Sequence, residues 1–599
     1  MSMARSRRPG APTILGDLRP SQIITTFGPG AVVDLPTASL IMAGTDFWTT
    51  DRSRLIDEPR LRSMLRVNVF YRPPVTSDRG ILGVPAFIFP RYLVCSRCQR
   101  LAPHEIFAFD GRGFRCGAQH KGRVPRGGPL AYPARFVVAC SDGHLDDFPW
   151  YDYAHGGAGA NCPQDLEFWG TGASGAVADL FVRCRRCGAR RSMGRAFGPG
   201  AAKSLGPCTG RRPWLGAGSD EQCHSGRLRT ILRGASNLYF PIVHSALSIP
   251  EWDDPIQLAV AHHEEQLGEV KSPEDIAAGI RMGFLPALKA FEPQRVFAAL
   301  EDRRSQEANP TTGVDIRRQE FSALRSIPDP EKARRREFEL EVSEVPAGFD
   351  DRIARVTIVR RLREVRALDG FTRIDSAFDL VPESETPERF QRQRLSSQEF
   401  HWRPAIELRG EGVFIELVED RVRRWEQSPS VWAVAEKLEA AHVEWRRERE
   451  LPDSPFPGPR YVLLHSLGHL LINGLSLDCG YSSSSIRERI YSSVDGDAPM
   501  AGLLLYTATP DSDGSLGGLA DQGRPDRLGH LLTDSLERAS YCSSDPLCGH
   551  QKAAEMGLLN GAACHACLLV SETSCERGNR YLDRAHVVET LMQLGANFF

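Results

Sequence analysis

Several things are missing from this 599-residue chain, and each absence removes a class of function. No run approaches the ~18 consecutive apolar residues that a membrane-spanning helix requires. The basic start, Met1 to Pro9, is followed by no apolar stretch, which argues against a secretory signal. The turn Phe27-Gly-Pro-Gly30 has no Gly-Lys-Ser/Thr after it, so a Walker-type nucleotide loop is excluded there and elsewhere in the chain. His465-x3-His469 lacks the glutamate of His-Glu-x-x-His, and with it the general base of a zincin protease. Lysine is scarce, at seven residues, so positive charge rests almost wholly on arginine.

Hydrophobic residues make up 41% of the chain and charged residues 25%, as in soluble globular proteins. The length calls for several domains. The pattern is α+β. It predicts a basic tail over 1–19, a β-rich domain with two zinc modules over 20–250, a mixed helical and strand region over 251–459, and a zinc-binding α/β domain over 460–599. Ser272-Pro-Glu-Asp275 reads as a helix start, with a serine N-cap, a proline at the first position and an acid at the third. Ile406 and Leu408 alternate toward Arg409-Gly-Glu-Gly412, and Val413, Ile415 and Leu417 alternate away from it. That pattern predicts a hairpin across 404–417.

What the chain has in quantity is cysteine in zinc-type spacing. Fifteen cysteines without a secretory signal suit thiolate ligands in a reducing cytoplasm better than disulfides. Zinc takes four ligands at tetrahedral corners, and a C-x2-C turn supplies two of them. Cys95, Cys98, Cys116 and His120 make one such set, and Cys184, Cys187, Cys208 and Cys223 a second. Closed sets of this kind leave no open position for water, so both read as structural. Cys140, His144, His155 and Cys162 form a possible further site. Near the C-terminus five thiols compete for four places. Cys564, Cys567 and Cys575 are the first choices and Cys548 the fourth, which leaves Cys542 as the bystander. The expectation is about three structural zinc ions per chain. His465 and His469 share one helix face and read as packed core histidines, with a metal role open.

Net charge near −2 conceals a local excess of positive charge. Leu180 to Ser219 contains no Asp or Glu, and Gly111 to Ser141 contains none either. Arg183, Arg185, Arg186, Arg190, Arg191 and Arg195 therefore form a candidate DNA-contacting cluster. No catalytic residue stands out. The rival reading, a metal-dependent nuclease or hydrolase, would use Asp146, Asp147, His144, His465 or His469, but no recognised motif pairs carboxylates around a metal.

Several strings together carry a resemblance. They are Arg19 to Gly30, Cys140 to Trp150, Arg233 to Pro241 with Ser248-Ile-Pro250, Arg361 to Arg366 with Gly370 to Arg373, Gly480 to Tyr491, Cys542 to Cys548, and Ala563 to Cys567 running on to Asp583. Over nearly its full length the chain resembles the DrmB family, helicase-associated subunits of the bacterial anti-phage system DISARM. Its C-terminal part is similar to the four-cysteine zinc domain that follows the motor of MrfA-type helicases. The resemblance implies a non-catalytic, cytoplasmic subunit that binds a DrmA-type superfamily-two helicase in trans and helps it engage DNA. No membrane partner is expected from the hydropathy, and no small-molecule substrate is evident in the sequence.

Overall fold

The computed structural model describes residues 15–36, 38–51, 54–75, 83–120, 127–157, 161–171, 175–198, 200–216, 218–249, 256, 259–260, 263–268, 270–308, 315–326, 337–376, 392–398, 401–449, 451, 453–478, 480–494, 498–509, 518–551 and 559–599. The expected tail therefore falls mostly outside the described residues, as do Lys121, Arg123 and Arg126 of the acid-free run from Gly111 to Ser141.

Two long strands, Ile353–Thr372 and Trp402–Leu417, form the spine of the molecule. They pair antiparallel within an eight-stranded sheet whose main path runs 240–247, 353–372, 402–417, 500–509, 486–493. Strand 339–343 joins the free edge of 353–372, and 69–71 pairs parallel with 402–404. Strands from 20–250, 251–459 and 460–599 all enter this one sheet.

The apolar pattern of the spine follows from burial on both faces. Val413, Ile415, Leu417, Leu503 and Leu505 point to one side, where they pack on helix 458–478. Phe414, Leu504 and Tyr506 point to the other, against Phe321 and Leu324 of helix 316–325. This is the period-two alternation of a strand, with both sets apolar because both faces are covered.

The hairpin expected across 404–417 does not form; the segment is one uninterrupted strand. Its glycines serve close approach rather than a turn. A Cβ on Gly410 would lie 1.5 Å from the Thr507 carbonyl oxygen, and one on Gly412 would lie 2.4 Å from that of Leu505. A β-bulge sits opposite, between Val359 and Leu362. Periodicity alone does not distinguish a glycine that turns a strand from one that lets a neighbour come near.

Helix 458–478 is buried nearly all round, from Val462 to Leu475, as the interior helix of a large core must be. No described helix is long and apolar enough to cross a membrane. Arg460 anchors its start. The guanidinium is 2% exposed and donates to both oxygens of Glu419 (2.9 and 3.1 Å) and of Glu426 (3.0 and 2.8 Å). Arg460→Met strands Glu426 without its counter-charge and leaves Glu419 with Arg423 alone. It should cost about 3–5 kcal/mol, read as a clear fall in the thermal unfolding midpoint of the full chain.

In the middle region the expected helix start at Ser272 forms: Asp275 N donates to Ser272 Oγ, and Ser272 N donates to Asp275 Oδ2. Helices 273–281 and 293–308 gather with Ile256, Val260 and Leu267 into a small separate apolar cluster.

The N-terminal half contributes a second eight-stranded sheet, ordered 190–192, 180–184, 166–170, 100–103, 92–95, 130–133, 114–115, 108–109. Both of its C-x2-C pairs lie at the ends of hairpins, Cys95 closing strand 92–95 and Cys184 closing strand 180–184. The residue after each pair is left-handed, Gln99 with φ 59° and Gly188 with φ 77°. Its N–H returns to the carbonyl of the first cysteine, at 3.1 and 3.0 Å. The two knuckles are thus built alike.

Candidate metal centres

Five groups of four potential ligands occur among the described residues, each with its donor atoms within 4.8 Å of one another. Tetrahedral zinc with bonds of about 2.0–2.3 Å needs ligand–ligand edges of about 3.3–3.8 Å. Edges near that length mark a group that zinc can close.

The first group is the expected one. Cys95 Sγ lies 3.4 Å from His120 Nε2, and Cys98 Sγ lies 3.9 Å from Cys116 Sγ. Arg97 N donates to the Cys95 sulfur at 3.4 Å, as backbone amides do toward a thiolate held in a knuckle.

The next two groups cross the expected pairing. Cys184 and Cys187 do not meet Cys208 and Cys223; they meet His155 and Cys162. Cys208 and Cys223 close instead on Cys140 and His144. Cys140, His144, His155 and Cys162 are accordingly divided between two groups rather than gathered in one. Side chains remote from the C-x2-C pair cause the exchange. Cys140 and His144 flank the turn between strands 136–139 and 145–147. Asp146 on that hairpin accepts from Thr209 at 2.9 Å and from Arg211 at 3.0 Å, which draws the Cys208 loop onto it. Asp142 accepts the amides of His224 and Ser225, which fixes Cys223 beside Cys140 at a sulfur separation of 3.7 Å. Cys162 is held elsewhere. Its amide donates to Tyr151 Oη, and its sulfur lies 3.6 Å from Cys184.

The two histidines carry outer partners that leave one ring nitrogen free to ligate. His144 Nδ1 is 3.3 Å from Cys140 Sγ, while Nε2 donates to Glu221 at 2.9 Å. Glu221 is held in turn by Arg212. His155 Nδ1 donates to the Tyr151 carbonyl at 2.8 Å, so Nε2 is left to face the thiols. A histidine oriented through its second nitrogen is the usual support of a metal ligand. The thiols here titrate as one set, in which the hydrogen bond with Cys140, then burial, pushes Cys208 up. Hydrogen bonding from Cys208, then from His144, outweighs burial and pulls the Cys140 thiol down to about 4.

At the C-terminus the structure reverses the expected choice between cysteines. Cys542, Cys548, Cys564 and Cys567 gather, with sulfur separations of 3.5 Å (Cys542–Cys564), 3.7 Å (Cys548–Cys567) and 3.8 Å (Cys564–Cys567). Cys542 is a member and Cys575 is not. Asp545 accepts the Cys542 amide at 3.0 Å and is gripped by buried Arg584, which turns the 542–548 loop inward. Hydrogen bonding from Cys548 lowers the Cys567 thiol to about 6. Cys575 is carried away by its neighbour: Glu576 N donates to Glu488 Oε1 at 3.1 Å, beside His465 and His469.

The family model described as "MrfA Zn-binding domain" matches residues 467–568, a span that includes all four gathered thiols. A second, described as "Domain of unknown function (DUF8724)", matches residues 19–240, which holds the three N-terminal groups. DISARM protein DrmB of Bacillus paralicheniformis is 34% identical over 588 residues, covering 95% of this chain and 99% of that protein. The chain belongs to the DrmB family.

In this DrmB-family chain the six arginines of the candidate DNA cluster are not equivalent. Arg183 and Arg185 both pair with Glu167, and Arg186 lies 3.8 Å from Asp165. Strand 166–170 pairs with 180–184 and so sets Glu167 opposite Arg183, a contact across the sheet that the acid-free run from Leu180 does not reveal. Arg191 stacks over the Tyr153 ring, its guanidinium carbon 5.1 Å from the centroid. Arg190 and Arg195 are exposed.

The carboxylates considered for catalysis are engaged in the fold. Asp147 is buried and accepts from the backbone and guanidinium of Arg91 and from the Tyr92 amide. Asp146 holds Thr209 and Arg211. Neither lies in a group of potential metal ligands among the described residues.

Proposed function

We propose that this chain is a non-catalytic, cytoplasmic subunit of a DISARM anti-phage complex, one that binds a superfamily-two helicase in trans and helps it engage DNA. The observation that carries this reading is the pairing of near full-length similarity to a DISARM protein with a zinc domain of MrfA type, in a sequence with no Gly-Lys-Ser/Thr loop of its own. The helicase supplies ATP hydrolysis; this chain supplies surface. The three N-terminal groups, each of three cysteines and a histidine, and the four-cysteine group hold zinc in this reading, four ions rather than the three expected from spacing. Each has its full complement of protein ligands, so the metal keeps shape and activates no water.

DNA engagement in this proposal rests on the arginine-rich edge around the second knuckle, and Arg190, Arg191 and Arg195 carry most of it. Arg183, Arg185 and Arg186 already face carboxylates, and much of their charge is spent within the fold. Replacing Arg190, Arg191 and Arg195 with Glu should weaken DNA binding of the purified subunit–helicase complex at least tenfold at low salt. Each lost phosphate contact should reduce the slope of log K against log salt by about 0.9. Fluorescence anisotropy over a salt series measures both. Unchanged affinity and slope would remove DNA contact from this surface. Helicase binding is tested separately, by co-purification of the two wild-type proteins.

A further inference from the structure

The fifth group lies apart from any cysteine knuckle. His465 and His469 come from helix 458–478, Glu488 from strand 486–493, and Cys575 from the loop that follows the four-cysteine group. We infer that these four residues bind one further zinc ion, in a site of two imidazoles, one carboxylate and one thiolate. The inference is independent of the helicase and DNA reading.

Geometry supports it first. His465 Nε2 is 3.1 Å from Cys575 Sγ and 3.0 Å from Glu488 Oε1, and His469 Nε2 is 3.4 Å from the same oxygen. These are close to the edges of a zinc tetrahedron, about 3.3–3.8 Å. An ion entering the centre needs only small side-chain adjustments.

The hydrogen bonding of His469 and Cys575 is that of ligands. His469 Nδ1 donates to the Leu568 carbonyl at 2.8 Å, which leaves Nε2 as a lone pair aimed at the group. Nε2 of His469 and Oε2 of Glu488 are buried with no hydrogen-bond partner among the described residues. Orphaned buried polar atoms are costly, and an orphaned imidazole nitrogen 3.4 Å from the Glu488 carboxylate, within the group, calls for a bound species. The Cys575 sulfur accepts the amides of Arg577 (3.3 Å) and Asn579 (3.2 Å). The amide two residues on from the cysteine serves Cys95, Cys208 and Cys542 in the same way.

Charge balance completes the case. His465, His469 and Glu488 are essentially sealed from solvent, and Cys575 is 6% exposed. A divalent cation with one carboxylate and one thiolate sums to zero, the value that such an interior tolerates best. Four protein ligands leave no open position, so the ion is structural. It joins the helix, the central sheet and the loop beyond the four-cysteine group at a single point.

The test is cadmium-113 NMR of the full-length chain reconstituted with the metal, alongside elemental analysis of the zinc-loaded protein. The four thiolate-rich groups give resonances far downfield. A site with one sulfur, two nitrogens and one oxygen gives a single line well upfield of them, because thiolate donors deshield cadmium most. That upfield line, together with a fall of one metal per chain in Cys575→Ala, is the expected result. If Cys575→Ala does not fold, the wild-type spectrum decides. Four downfield lines without the upfield one would overturn the inference while leaving the other four sites in place. An upfield line without the downfield set would sustain it and sink the four-zinc reading instead.

Discussion

Cys223→Ser should expose Cys140 and Cys208 to alkylation and leave Cys162, Cys184 and Cys187 protected. The structure places Cys223 with Cys140, His144 and Cys208, and gives Cys184 and Cys187 a different pair of partners. Loss of one ligand from a closed zinc site removes most of its binding energy, which reaches about 10–16 kcal/mol for structural zinc in finger peptides. Metal content should fall by one per chain. The freed thiols then react with a maleimide, and their positions are read by peptide mass spectrometry. Spacing alone predicts a different footprint, with Cys184 and Cys187 labelled alongside Cys208. The tertiary assignment fails if that second pattern appears.

The second large effect is expected at Gly410. An added methyl group would lie 1.5 Å from the Thr507 carbonyl oxygen, inside covalent range of a backbone atom on the neighbouring strand. No side-chain rotation relieves a clash with backbone. Strands 402–417 and 500–509 would have to separate at the centre of the main sheet, with apolar layers on both faces. Gly410→Ala should therefore cost more than about 4 kcal/mol, beyond the range of ordinary point substitutions. The variant should accumulate as insoluble protein, or unfold at a far lower temperature than Thr533→Ala, a control at an exposed position of helix 525–540. Were Gly410 a left-handed turn residue of a hairpin, alanine would cost about 1–2 kcal/mol. The size of the loss thus separates the two readings.

Both cases show where local pattern stops being informative. The alternation through Ile406, Leu408, Val413, Ile415 and Leu417 was legible and correct as strand. What lay between them was not, because a glycine's neighbours belong to a strand some 95 residues later in the chain. The Ser272 cap could be read because all its partners lie within four residues. For His465 and His469, spacing established that they share a helix face and nothing more. Glu488 gave no signal of its own, being one carboxylate in an ordinary strand. Its role follows from the packing of that strand against the helix.

The amino-acid sequence by itself determined that this chain is an α+β protein of the DrmB family, rich in zinc-type ligands and without a nucleotide loop. Those properties are carried by residue types and short spacings, which any conformation preserves. Only the tertiary structure decided which candidate ligands lie together. It paired Cys184 with Cys162 and Cys223 with Cys140, admitted Cys542, and moved Cys575 to the two buried histidines. The physical reason is that a metal site needs four atoms within a few ångströms. Distances of that kind are set by contacts between segments remote in sequence: Asp142 with His224, Asp146 with Thr209, Asp545 with Arg584 and Glu488 with Glu576.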